Sequence, residues 1–369
     1  MKKKLLVLTV VLLILSLLVV ACTPAETTTE EPSQGDTQPE ESEPAPETAP
    51  EPEPETAEED YVIGVVVKGV GNPFFEASDK GFKEALDPFG IEFISQGPAT
   101  PTPEGQIEII ENFIAQRVDA IAITANDADA VVPALKKAMD EGIKVLSWDS
   151  GVAAEGRHVH INQADAQLIG QLQVQAIAEM IGYEGEIAIL SAGATMTNQN
   201  TWIEYMKQEL EDPKYDKMEL VTIVYGDDLR EKSYNEAMGL FKSYPNLKGI
   251  ISPTTVGIGA TGNAITDADL IGKVHLTGLG LPSEMAEWIK NGACEAMFLW
   301  NPIDLGFLTG HTAALMVKGE IEGKLGEAFT AGRMGEKEIV DDGAGGLEIM
   351  LGPPFRFDAS NIDEWKDVY

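Results

Sequence analysis

Apolar and polar positions alternate along this chain in a repeating rhythm. From Tyr61 to Val67 the run is nearly all apolar, as expected of a strand covered on both faces. Helical spacing follows over Phe74–Leu86, then a short strand at Ile91–Ser95, a helix at Pro103–Gln116, a strand at Ala120–Thr124, a helix at Asp129–Glu141 and a strand at Lys144–Trp148. The pattern then repeats. It predicts helices over Ala164–Ile181, Gln199–Leu210, Glu231–Ser243, Gly257–Asp269 and Ser283–Asn291. The strands between them are Glu186–Ser191, Glu219–Val224, Gly249–Ser252, Val274–Gly278 and Cys294–Leu299, and a last strong helix spans Asp304–Val317. Such βα alternation specifies parallel sheets with helices on both faces, in two similar α/β lobes. Ligands of open α/β sheets sit beyond the carboxyl ends of the strands, so two facing lobes enclose a cleft.

The N-terminal part reads differently. Lys2–Lys4 precede a 16-residue apolar stretch, Leu5–Val20, which is short for a spanning helix and fits the core of a signal peptide over residues 1–21. It ends in Val19-Val20-Ala21-Cys22, resembling a bacterial lipobox and implying lipidation at Cys22. Residues 23–60 hold 14 acidic and no basic residues, with eight prolines and no aromatic ring. Such a segment cannot bury enough apolar surface to offset its ordering entropy, so residues 22–60 are expected to form a disordered tether to a membrane. The whole chain of 369 residues carries a net charge of −35, which excludes nucleic-acid partners, since those need Lys and Arg to displace counterions.

The chemistry-bearing residues cluster at predicted strand ends. Lys68, Asn72, Phe74 and Phe75 follow the first strand, and Asp149 follows the fourth. Asn198 and Gln199 follow the first strand of the second lobe, Pro253 and Thr255 a later one, and Trp300 and Asn301 the last. Carboxylate, amides, a cation and rings suit a small polyhydroxylated ligand, whose hydroxyls need partners and whose C–H faces pack on aromatics. Asp149, Asn198 and Gln199 are also compatible with simple capping. Trp300 fits either a stacking platform or a packed inter-lobe crossing, Trp202 reads as core, and one of Phe74 and Phe75 is expected to pack inward.

Enzyme signals fail on inspection. Gly257–Gly262 spells GxGxxG, but no acidic residue follows at the next strand end, where Gly278-Leu279-Gly280 stands. His158 and His160 lack metal-ligating partners by spacing, and Cys294 lies in an apolar strand, so no metal, cofactor or catalytic residue is expected.

The segments GNPFF, KVLSWDS, INQADAQLIG, TNQNTW, VYGDD, ISPTTVGI, TGLGLPSEM and LWNPIDLG together resemble the type I periplasmic sugar-binding proteins of ABC importers. Within that class the chain is most similar to rhamnose-binding components and to the related autoinducer-2 receptors. The resemblance implies an α/β periplasmic-binding-protein type I fold. Its first lobe would comprise residues 61–162 and about 301–335, its second residues 163–300 and about 345–369. The lobes would be joined by crossings near Asn162–Ala164, near Trp300–Pro302 and within Gly323–Gly346, with Asn162, Gln163 and Pro302 as hinge residues. It also implies ligand contacts at Lys68, Phe75, Asp149, Asn198, Gln199, Pro253, Thr255 and Trp300. Asn198 and Thr255 stand where the autoinducer-2 receptors have aspartate and alanine, and both departures move the site toward the rhamnose pattern. The expected protein is a monomeric, lipid-anchored capture protein on the extracytoplasmic face of the cell membrane. It would deliver L-rhamnose to a permease and ATPase complex, with an autoinducer-2 receptor, a ligand-presenting sensor and a lipid-anchored enzyme as alternatives.

Overall fold

The computed structural model describes residues 60–369; the expected signal peptide, the expected lipidation site Cys22 and the expected tether lie outside the described residues. The chain opens with β1 (Val62–Val66), α1 (Pro73–Leu86), β2 (Glu92–Gln96), α2 (Pro103–Gln116), β3 (Ala120–Ile123), α3 (Val132–Asp140), β4 (Lys144–Trp148) and β5 (Val159–Asn162). It crosses into α4 (Ala166–Ile181), β6 (Gly185–Ser191), α5 (Thr197–Leu210), β7 (Met218–Tyr225), α6 (Arg230–Ser243), β8 (Leu247–Ser252), α7 (Thr255–Asp267), β9 (His275–Gly278), α8 (Pro282–Asn291) and β10 (Ala296–Leu299). After α9 (Pro302–Val317) come β11 (Ala328–Thr330), β12 (Glu336–Glu338), β13 (Val340–Asp341), β14 (Leu347–Met350), β15 (Phe355–Asp358) and α10 (Ile362–Trp365).

The first lobe is built on a seven-stranded sheet in the order β13-β14-β5-β4-β3-β1-β2, parallel except for β13. The apolar runs of its strands serve two cores. Ile63 and Val65 point to one face with Phe82 and Leu146, while Val66, Ile121 and Ile123 pack with Ile110, Phe113 and Leu135 on the other. The second lobe carries the parallel sheet β7-β6-β8-β9, extended through a bridge between Leu279 and Phe298 to the antiparallel pair β10–β15.

Helix α9 leaves the second lobe and returns to the first, lying along α1. The approach is backbone to backbone. A Cβ on Gly81 would stand 1.9 Å from the carbonyl oxygen of Ile303, and one on Gly306 would stand 2.1 Å from that of Ser78. Only glycine permits this spacing.

Two boundaries differ from the expected ones. The third crossing is not in Gly323–Gly346, which holds the β11–β12 hairpin and β13. It lies at 351–354, between β14 and β15. The second lobe also does not resume at about 345, because β14 adds to the first sheet beside β5 (Ile349 opposite Ile161) and buries Ile349 completely. Lys337 Nζ holds this crossing by donating to the carbonyls of Met350 and Leu351, each at 3.0 Å.

Candidate functional site

The first lobe's half of the site is set by two loops that one buried glutamine ties together. Gln106 of α2 donates to the carbonyls of Val67 and Thr124, and its Oε1 accepts from the Asn126 amide. Asn126 in turn donates to the Lys68 carbonyl at 2.9 Å. Lys68 is thereby aimed at Asp149, and their side chains pair at 3.0 Å with 5% and 7% exposure. Asp149 turns the chain after β4 with φ 55°, a left-handed conformation that Asp tolerates better than most residues. Its Oδ2 also accepts from the Thr124 hydroxyl at 2.9 Å.

The second lobe answers from the N-termini of α5 and α7. Gln199 Oε1 accepts from the Ser191 hydroxyl and the Ala192 amide, both at 2.8 Å, which anchors the start of α5 to the end of β6. Asn198 Oδ1 accepts from the Gln199 amide, leaving Nδ2 to reach across the cleft to Asp149 Oδ1 at 3.2 Å. A second inter-lobe bond joins the Thr195 hydroxyl to the Asn126 carbonyl at 3.1 Å. The lobes are therefore closed on one another.

Sequence reasoning passed over Asp228. It follows β7, with Asp227 and Asp228 both at left-handed φ (53° and 52°), and its Oδ1 accepts from the hydroxyl of Thr254, the cap of α7. Burial raises its pKa above the usual carboxylate range and the charge of Asp149 adds to this, while the Thr254 bond and Lys68 pull it down. The signal was present in the sequence as two consecutive aspartates at a strand's carboxyl end.

An aromatic wall spans the two lobes. Phe75 meets Trp148 edge-on at 5.9 Å, Phe74 meets Trp300 edge-on at 6.2 Å, and Trp300 tilts against Trp202 at 5.8 Å. Both phenylalanines are buried and both face the cleft. The indole Nε1 of Trp300 finds no hydrogen-bond partner among the described residues.

These groups line an inter-lobe cavity of about 360 Å³, including its opening to solvent. Lys68, Asn72, Phe75, Asp149, Asn198, Gln199, Pro253, Thr255 and Trp300 all border it, as does Phe74, so neither phenylalanine packs away from the cleft. Trp202, expected as core, borders it too, with Asp228, Thr254, Leu279 and Leu299, which the candidate set lacked. Asn301 does not border it. Its Oδ1 is occupied capping α9, accepting from the amides of Ile303 and Asp304. Asn162 and Gln163 sit in the first crossing, where Asn162 bonds Glu348 and the Leu351 amide of the third; Pro302 begins α9 at the second.

The remaining sequence candidates have structural occupations. Among the described residues no group of three or more His, Cys, Asp or Glu side chains is placed to hold a metal ion. His158 accepts from the Val145 amide, and His160 bonds the Ser147 hydroxyl at 2.9 Å. Burial, with help from the Arg157 charge, drives the His160 pKa down to about 3. Burial pushes the Cys294 thiol up, away from reactivity. Gly257 and Gly262 give α7 its close packing on Thr254 and Trp288.

Residues 63–321 match the periplasmic binding protein domain. An ABC transporter solute-binding protein from Clostridium phytofermentas, solved with bound L-rhamnose, is 43% identical with a TM-score of 0.82; the match covers 84% of this chain and 99% of that one. A D-ribose/D-allose-binding protein of Pseudomonas aeruginosa is 26% identical over 62% of this chain and 74% of its own length. LsrB from Clostridium saccharobutylicum in complex with AI-2 is 21% identical with a TM-score of 0.78 over 82% of this chain and 99% of that one, a likeness of fold. With its two parallel-sheet lobes closed over a polar and aromatic cavity, the chain belongs to the type I periplasmic binding proteins, the family of sugar-binding components of ABC transporters.

Proposed function

We propose that this protein is a lipid-anchored capture protein that binds L-rhamnose between its lobes and presents the closed form to an ABC permease. The observation carrying this reading is the inter-lobe cavity itself. Charged and amide groups from both lobes converge there, beside four aromatic rings, in a chain 43% identical to a rhamnose-bound relative. In this reading Lys68, Asp149, Asn198, Gln199 and Asp228 take ring hydroxyls, and Phe75 and Trp300 cover C–H faces. Leu279 and Leu299 offer an apolar corner that suits the methyl group of a 6-deoxy sugar. Ligand shifts the open–closed balance through its better fit to the closed form, and no chemical step is involved. The motif Val19-Val20-Ala21-Cys22 supports anchoring through Cys22; incorporation of labelled fatty acid that disappears in Cys22→Ser tests that part.

Calorimetry tests the ligand assignment, on protein unfolded and refolded to strip carried-over sugar and titrated with L-rhamnose, ribose, galactose and autoinducer-2. Saturable heat with rhamnose is the expected result. Autoinducer-2 binding without rhamnose binding would make the protein a signal receptor, and formation of any product from the sugar would overturn the binding-only reading.

A further inference from the structure

A second chamber adjoins the sugar cavity. It encloses about 1060 Å³, including its opening to solvent, and is walled by both lobes and by the β13–β14 loop. Asp149, Asn198 and Trp202 form a common wall with the first cavity, and the Asn198–Asp149 hydrogen bond stands between the two spaces. A ligand that spans both spaces would have to part Asn198 from Asp149, with one of its oxygens taking Asn198 Nδ2.

The chamber's chemistry is polar and short of cations. Gln163 lines it at 1% exposure, and its buried Oε1 has no hydrogen-bond partner among the described residues, so its desolvation is not offset there. Among the described residues that line the chamber the one cation, Arg157, has its charge already paired. It pairs with Asp342 and donates to the carbonyls of Leu347 and Val152 at 2.6 and 3.0 Å. Asp129 and Glu155 stand on the exposed rim. A phosphate or carboxylate would find no unpaired positive charge among the described residues here, whereas a neutral ring bearing hydroxyls meets the hydroxyls of Thr197 and Thr201 and, once Gln163 turns outward, its unpartnered amide oxygen.

We propose that this chamber is a second sugar subsite, so that the protein accepts a neutral glycoside whose terminal ring occupies the first cavity and whose next ring occupies the chamber. The proposal rests on the first cavity being a monosaccharide site, whichever monosaccharide that is.

The test titrates the protein calorimetrically with L-rhamnose, ribose and galactose, with a disaccharide ending in each, and with each sugar 1-phosphate. The wild type is expected to bind the disaccharide of its preferred sugar at least as tightly as the free sugar, and to reject the phosphate. Ala153→Trp and Ala344→Trp, on separate loops of the chamber and outside the first cavity, are expected to weaken the disaccharide at least tenfold and leave the monosaccharide unchanged. A monosaccharide bound while its disaccharide is refused overturns the second subsite, as does a folded pair of variants that leave the disaccharide's affinity intact. A preference for ribose or galactose, with the disaccharide still bound and still sensitive to both variants, overturns the rhamnose assignment and supports the subsite.

Discussion

Asp149→Asn isolates the electrostatics of the cleft. The amide keeps the shape of the side chain and tolerates the left-handed backbone at this position (φ 55°). It removes the charge from a pair with Lys68 whose two side chains are 5% and 7% exposed. Stripping one partner from such a buried pair costs about 3–5 kcal/mol, because the other charge stays desolvated and alone. Two features reduce that figure, since Asp228 faces Lys68 from the other lobe and Thr124 can still donate to the new Oδ1, although the new Nδ2 then faces Asn198 Nδ2 and that inter-lobe bond is lost. The expected loss is about 2–3 kcal/mol, a fall in melting temperature on the order of 5–10 °C. Sugar affinity should drop roughly 10- to 100-fold, the worth of one charge-assisted hydrogen bond. The double variant Lys68→Met/Asp149→Asn removes the stranded charge, so it should regain stability to within about 1 kcal/mol of the wild type without regaining affinity. Thermal unfolding followed by circular dichroism reads the first quantity and calorimetry the second. A double variant no more stable than Asp149→Asn alone would refute the stranded-charge reasoning, and wild-type affinity in a folded Asp149→Asn protein would remove Asp149 from the site.

Asp228→Asn should weaken the sugar about tenfold while holding or raising stability at neutral pH. Its carboxyl pKa is raised in the fold, so the folded chain holds this proton more tightly than the unfolded one. Stability therefore declines as pH rises through the carboxylate range, and urea midpoints in the variant should lose that decline; an unchanged profile would count against it. His160 is the opposite case. The fold keeps it neutral down to about pH 3, while the unfolded chain protonates near 6.5, so stability is lost as pH falls between those values by roughly 1.4 kcal/mol per unit. His160→Gln should flatten that acid limb, and an equally steep limb would assign it to other groups. Gly81→Ala drives a methyl into the Ile303 carbonyl and should cost about 3 kcal/mol; a shift under 1 kcal/mol in chemical denaturation would show that α1 and α9 can separate.

Much of the lining of the inter-lobe cavity was legible because strand ends are legible. A buried parallel strand announces itself by composition, and the next few residues are then at the cleft by topology; Lys68, Asp149, Asn198 and Trp300 all fall there. Asn301 misled because a strand-end amide and a helix cap look the same, and only the position of the α9 amides separates them. Asp228 was hidden by its pairing with Asp227. Which of the two faces inward depends on two consecutive left-handed residues, a backbone choice that spacing does not encode. The third crossing was misplaced because β14 and β15 are both four residues long, and nothing in either says which of two sheets it will join. That choice rests on long-range pairing, with β14 lying some 190 residues along the chain from its neighbour β5.

The ion pair at the centre of the cleft belongs wholly to one lobe, since Lys68 and Asp149 follow β1 and β4 of the same sheet. Opening the lobes leaves that pair, and the glutamine-stapled loops behind it, assembled. Under the proposed function the first lobe is thus a landing surface with its polar groups already set, and the second lobe is the latch. Arrival is then governed by the first lobe alone, and departure by both. Changes at Lys68 or Asp149 should alter both the association and dissociation rates, while changes at Asn198, Gln199 or Thr255 should act on residence time alone.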